Sequence, residues 1–146
     1  MRRLLLILLA FVSINMTAQT ISAKEKAAVR QQYIKFCKEM NQQLPANVDD
    51  ITTLNSVAFI NWTLTATYSV DIDVNDVSPN DMAIFKSTMH DSFKEVARKM
   101  FASGSYQVSR TKFRALMKAV GLKFRATYKD AYSNFMFSVL LDYTDF

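Results

Sequence analysis

The stretch NWTLTATYSVDIDV, Asn61 to Val74, alternates without a break. Trp62, Leu64, Ala66, Tyr68, Val70, Ile72 and Val74 share one side, and Thr63, Thr65, Thr67, Ser69, Asp71 and Asp73 share the other. Successive side chains of a strand point to opposite faces, so this period of two predicts a strand with one buried and one wet face. The preceding segment, Ile51 to Phe59, alternates more loosely. Leu54, Ser56 and Ala58 are expected on one side, with Thr53, Asn55, Val57 and Phe59 on the other. The two strands form a hairpin whose turn falls near Phe59 to Trp62 and lacks the glycine that tight turns favour.

A second strand pair closes the chain. Leu122, Phe124, Ala126 and Tyr128 alternate with Lys123, Arg125, Thr127 and Lys129. After a turn around Asp130 to Asn134, Phe135, Phe137, Val139 and Leu141 alternate with Met136, Ser138, Leu140 and Asp142. Between and before the hairpins the period changes to that of helices. Val29, Tyr33, Phe36, Cys37, Met40 and Leu44 make one stripe in Ala23 to Leu44, which Pro45 terminates. Met82, Phe85, Met89, Phe93, Val96, Met100 and Phe101 make another in a helix starting at Ser78, with Gly104 placed to close it. Ser109 caps a shorter helix from Arg110 to Val120, whose face is Phe113, Leu116, Met117 and Val120 and whose terminator is Gly121. The order α-β-β-α-α-β-β predicts an α+β fold, an antiparallel sheet with amphipathic helices packed on one face. Helix followed by hairpin occurs twice, and Ala66-Thr67-Tyr68 matches Ala126-Thr127-Tyr128, which hints at a duplication.

Where the long strand ends, DIDVNDVSPND (71–81) places an oxygen side chain at every second position, as calcium loops do. Asp76 stands where such a loop needs glycine, and Met82 where it needs a bidentate glutamate. A helix start accounts for the residues better: Ser78 as N-cap, Pro79 at the first helical position and Asp81 reaching back. No metal site is expected there. His90, the one histidine, could join methionines around copper, but Met82, Met89 and Met100 follow the core stripe, so a core or boundary role is expected instead.

The N-terminus reads as an export signal. Met1-Arg2-Arg3 is followed by the apolar run Leu4 to Val12 and a polar stretch, with cleavage expected after Ala18. Residues 1–18 are then a removed signal and 19–146 a single domain, with no transmembrane segment left. The chain carries 18 basic and 13 acidic residues, and signal removal takes away two of the bases. The remaining excess is too small and too dispersed for a nucleic-acid-binding stripe. The single cysteine, Cys37, cannot form an internal disulfide and falls in a helix stripe, as a core thiol would.

No glycine-rich phosphate loop or serine elbow is present, so neither a catalytic residue nor a cofactor is assigned. The candidate interaction surface is the wet face of the sheet, formed by Thr63, Thr65, Thr67, Asp71, Asp73, Lys123, Arg125 and Lys129. The terminal strand and Phe146 evoke an outer-membrane barrel end, but the helices occupy the sequence that a barrel would need for strands.

Leu44-Pro45, then Val48-Asp49, then Thr52-Thr53-Leu54 resembles a pattern in small exported proteins of Gram-negative bacteria, a largely uncharacterised group. The resemblance implies export and an α+β fold and transfers no functional residue. The combined expectation is a periplasmic or secreted binding or accessory module of the cell envelope, with a protein or small ligand as partner. Alternatives are an inhibitor or immunity protein against a secreted enzyme, a small hydrolase or isomerase with a sheet–helix pocket, and a ligand carrier with a cavity around Trp62, Tyr68 or Phe124.

Overall fold

A computed structural model describes residues 21–102 and 109–146; the expected signal segment and Gly104 lie outside them. Helix α1 (Ala23–Asn41) leads into a two-residue strand β1 (Ala46–Asn47) and the hairpin β2 (Thr52–Ile60) and β3 (Thr63–Val70). A short 3-10 turn, Val74–Asp76, precedes the long helix α2 (Pro79–Ala102). Helix α3 (Arg110–Val120) then feeds the second hairpin, β4 (Lys123–Lys129) and β5 (Phe135–Leu141). The strands form one sheet in the order β1-β2-β3-β4-β5. The α+β class and the element order expected from the periodicity are those observed, with β1 added. Among the described residues, no helix is long and apolar enough to cross a membrane.

The sheet is antiparallel except at its centre, where β3 and β4 run parallel. Antiparallel neighbours can be joined by a short turn, whereas parallel ones need a long crossover. Helices α2 and α3 occupy that crossover and bring β4 back alongside β3 in the same direction. The two Ala-Thr-Tyr triplets thereby become direct neighbours: Ala66 pairs with Ala126, Thr67 with Thr127 and Tyr68 with Tyr128. They occupy the second strand of one hairpin and the first strand of the other. A repeated helix–hairpin unit would not superpose these positions, so the matching triplets lend a duplication no support.

The three helices of the described residues lie over one face. Val29, Tyr33 and Cys37 of α1, Phe93 and Ala97 of α2, and Phe113, Leu116 and Met117 of α3 are buried there. They meet Leu54, Val57, Leu64, Ala66, Tyr68, Val70, Phe124, Ala126, Tyr128, Phe137, Val139 and Leu141 from the sheet. Tyr33 stacks on Phe59 at 4.9 Å, and Phe113 stacks on Phe124 at 6.3 Å. Phe146 packs edge-on against Phe113, so the terminal aromatic plugs the core between α3 and β4. Burial pushes the Cys37 thiol up to about 11, which keeps it protonated and a poor nucleophile.

The helix signals act where the sequence places them. Ser109 accepts the Lys112 N–H, and Gly121 closes α3 at φ +70°. Ser22 and Glu25 form a reciprocal capping box on α1. Ser78 accepts the Asp81 N–H at 3.1 Å and donates its hydroxyl to the Asp81 carboxylate at 2.6 Å. Helix α1 stops at Asn41, three residues before the expected end, and the Asn41 amide is used elsewhere. Its oxygen accepts the Val57 N–H at 2.9 Å and its nitrogen donates to the Val57 carbonyl at 2.8 Å. A side-chain amide thus replaces a neighbouring strand beyond the reach of β1, which pairs with Thr53 and Leu54.

Two bulges correct the expected faces. Between Leu54 and Ser56 the register shifts, so Asn55 is extra and Leu54 and Val57 both turn inward. Ser56 and Ala58 are therefore not on the side of Leu54. A second shift beside Tyr128 leaves Met136 unpaired and buried, while Phe135 is 63% exposed rather than sharing the inward face of Phe137. The inward stripe of α2 is also narrower than its sequence suggests, with Phe85 40% exposed as it touches Phe137 edge-on.

Candidate functional site

The sheet face away from the helices carries most of the candidate residues. Each inward Leu64, Ala66 and Tyr68 is flanked by an outward threonine or serine, and the parallel register sets these beside the outward residues of β4. Thr63 lies opposite Lys123, Thr65 opposite Arg125, Thr67 opposite Thr127 and Ser69 opposite Lys129. The outer strands extend the rows: Ala58 neighbours Thr65, Leu140 neighbours Arg125, Ile60 neighbours Thr63 and Ser138 neighbours Thr127. Lys123 and Arg125 are exposed, while the hydroxyl residues and Lys129 are half-buried.

The two acids part company with this face. Asp71 is exposed just past the end of β3, where its N–H bonds the Ile51 carbonyl. Asp73 turns to its own backbone and accepts the Asn75 N–H and side-chain amide, both at 2.9 Å. The predicted strand ends four residues early because other groups recruit its tail. Ala131 N–H bonds the Ile72 carbonyl at 3.0 Å, and Val74 N–H bonds Asp130 at 3.3 Å. DIDVNDVSPND is thus a strand end, a 3-10 turn and a helix cap in succession. Among the described residues, no group of three or more His, Cys, Asp or Glu side chains could hold a metal ion.

Asp130 is the residue that sequence reasoning missed. It is completely buried, and its carboxylate accepts the Tyr132 N–H at 2.9 Å, the Asn134 N–H at 2.7 Å and the Asn134 amide at 2.9 Å, besides Val74. Burial alone would raise its pKa, but these hydrogen bonds outweigh burial and hold it below the usual carboxylate range. The signal was an Asp with an Asn four residues later inside a hairpin loop, where side chains commonly bond the backbone just ahead. The role is structural, since every polar contact is to the fold.

A polar cleft of about 340 Å³ lies between α2, the start of α3 and the C-terminal segment, lined by Asp91, Lys94, Glu95, Arg98, Arg110 and Thr144 to Phe146. Its charges largely pair with one another. Glu95 meets Arg98 at 2.8 Å and Lys99 at 3.2 Å, and hydrogen bonds from Arg98 and Lys99 hold its carboxyl down at about 2. Asp145 lies 3.4 Å from His90 and 3.5 Å from Lys94. His90 is thus half-buried at the edge of the core and tethers the C-terminal segment. An acid held at about 2 beside two bases cannot store a proton near neutral pH, so Glu95 is unsuited to general acid catalysis. Trp62, Tyr68 and Phe124 lie in packed surroundings: Tyr68 stacks on Tyr128 at 4.9 Å, Trp62 meets Phe59 edge-on, and Phe124 contacts Phe113 and Phe146.

No protein-family model matches the chain, and no curated protein matches it. Solved structures do. A Pseudomonas aeruginosa protein assigned as secreted shares 14% identity at a TM-score of 0.52, over 86% of this chain and 98% of its own. The pilotin EpsS of the Vibrio vulnificus type 2 secretion system shares 8% identity at a TM-score of 0.53, over 85% and 96%. At such identities the likeness is one of fold, and it agrees with the resemblance to small exported proteins of Gram-negative bacteria.

Proposed function

We propose that the protein is an exported, non-catalytic accessory module of the cell envelope that holds a protein partner on the open face of its sheet. The observation that carries this reading is the one-sided fold of the described residues: three helices cover one face, and the other presents hydroxyl rows, exposed bases and the exposed aliphatic side chains of Ile60 and Leu140. Uncovered sheet with mixed polar and apolar character suits association with another macromolecule. The fold shared with the EpsS pilotin, a component of a secretion machine, supports an accessory role. The paired charges of the α2 cleft fit a structural tether better than a proton-transfer site.

The test is affinity capture of the tagged mature protein from cross-linked envelopes of cells that make it. One stoichiometric partner supports the reading, and a secreted hydrolase as that partner would make the protein its inhibitor. Recovery of the protein alone overturns the reading. N-terminal sequencing of the exported form is expected to begin at Gln19; an intact Met1 would overturn export by signal cleavage.

A further inference from the structure

We infer that the open face recognises an acidic protein segment bearing aliphatic side chains, with a carboxylate seated on Arg125. The inference rests on the reading above and supplies the chemistry of the partner. Arg125 lies in the second cross-strand row, between Thr65 on β3 and Leu140 on β5. It is exposed, and among the described residues its guanidinium makes no hydrogen bond or ion pair. The other two bases of the face are less available. Lys123 lies close enough to Asp142 to contribute to that carboxyl's lowered pKa, after the dominant hydrogen bonds from Thr144. Lys129 lies opposite Ser69 and is half-buried, so it is less available to a partner. Arg125 is left as the exposed base of the face with no acid beside it among the described residues.

A guanidinium presents a planar fork of donors that matches a carboxylate in bidentate fashion. Arginine is also among the residues enriched in interface hot spots. Leu140, 39% exposed, lies directly beside Arg125, and Ile60, 67% exposed, ends the adjoining Thr63–Lys123 row. Thr65 and Thr63 between them offer hydroxyls to a partner's polar groups. A polysaccharide fits less well, because sugar rings stack on flat aromatic platforms. The rings of Tyr68, Phe124, Tyr128 and Phe137 are turned into the helix-covered core, and Phe135, 63% exposed opposite Lys129, is a single ring at one end of the face rather than a platform of several.

The probe is a fluorescein-labelled peptide of alternating Asp and Leu, with Ser–Leu and Lys–Leu peptides and dextran sulfate as comparators, read by fluorescence anisotropy. The Asp–Leu peptide is expected to bind in preference to all three. Arg125→Glu should weaken binding at least about tenfold, and Arg125→Gln by a smaller factor, with unchanged thermal midpoints. Arg98→Glu, on the far helix, should leave binding intact. Absence of Asp–Leu binding, equal binding of Ser–Leu, equal binding of dextran sulfate, or indifference to both Arg125 variants would each overturn the inference. In the envelope capture, a partner retained equally by wild type and Arg125→Glu defeats this inference but leaves the accessory role standing. Recovery of no partner by wild type defeats the accessory role itself.

Discussion

The two hairpins solve the same problem in opposite ways. The β2–β3 turn has two residues, Asn61 and Trp62, and both have positive φ, at 48° and 59°. That geometry is what a tight two-residue turn demands, and asparagine tolerates it, whereas tryptophan does not readily. Its surroundings hold it there: the Trp62 ring lies edge-on to Phe59 at 5.8 Å, and its carbonyl accepts the Lys123 N–H at 2.8 Å. The β4–β5 turn is longer and is organised by a side chain, the buried Asp130, which bonds the loop and the segment after β3 together. The first turn is held by two consecutive left-handed residues; the second combines one, Ser133 at φ 70°, with a buried carboxylate. Their bulges differ accordingly, far from the turn in the first and beside it in the second. A turn fixed by dihedrals should be insensitive to pH, and a turn fixed by a carboxylate should not.

The largest effect is expected where the hairpins join. Tyr68 and Tyr128 are both buried and stack at 4.9 Å, and Tyr128 stacks in turn on Phe137 at 4.7 Å. Tyr68→Ala or Tyr128→Ala should each cost about 3 kcal/mol in denaturant unfolding. The double variant should cost less than the sum by about 1 kcal/mol, since the pair is lost only once. Strict additivity would mean that the hairpins are not coupled through these rings.

Asp130→Asn should produce the next largest loss, and it separates the hairpins by pH. A carboxyl whose folded pKa lies below its unfolded value contributes stability that is present above the unfolded pKa, about 4. That contribution is lost as pH falls through the folded value. The wild-type midpoint should therefore fall below pH 4 more steeply than that of the variant, measured by thermal melts from pH 2 to 7. Parallel pH profiles would show that Asp130 contributes nothing to the acid limb.

At the sheet edge, Asn41→Ala strips Val57 of both side-chain hydrogen bonds and should cost about 1–2 kcal/mol. Hydrogen exchange should then speed at Val57 while the β4–β5 amides stay protected. The smallest effect is also the most diagnostic of the first turn. Trp62→Gly and Trp62→Ala both remove the ring, but only glycine relieves the positive φ. The glycine variant should be the more stable by about 1 kcal/mol, a reversal of their usual order within strands. Equal stabilities would remove the claim that this turn is strained.

Much of this architecture was legible in the chain. The threonine ladder from Thr63 to Ser69 and the Lys123–Lys129 alternation announced their faces, because a period of two has no other structural use at that length. Ser109 and Gly121 marked the ends of α3 to the residue. The bulges at Asn55 and Met136 were not legible, because an extra residue leaves composition unchanged and is revealed only by the strand it faces. Asn41 and Asp130 were hidden for a related reason, since Val57 is 16 residues from one and Val74 is 56 from the other. Of the residues expected on the open face, the threonines and bases lie on the strand sides away from the helices, while Asp71 falls just past the end of β3 and Asp73 turns away to cap its own turn.

By itself the sequence determined the main elements, the Ser78, Ser109 and Gly121 caps and which sides of β3 and β4 avoid water, because those follow from spacing within a few residues. Only the tertiary structure decided that β3 and β4 run parallel and that the two Ala-Thr-Tyr triplets meet side by side. It alone set Arg125 unpaired between Thr65 and Leu140. Those outcomes depend on how a long helical crossover returns the chain, and contacts between residues some sixty positions apart leave no local pattern to read.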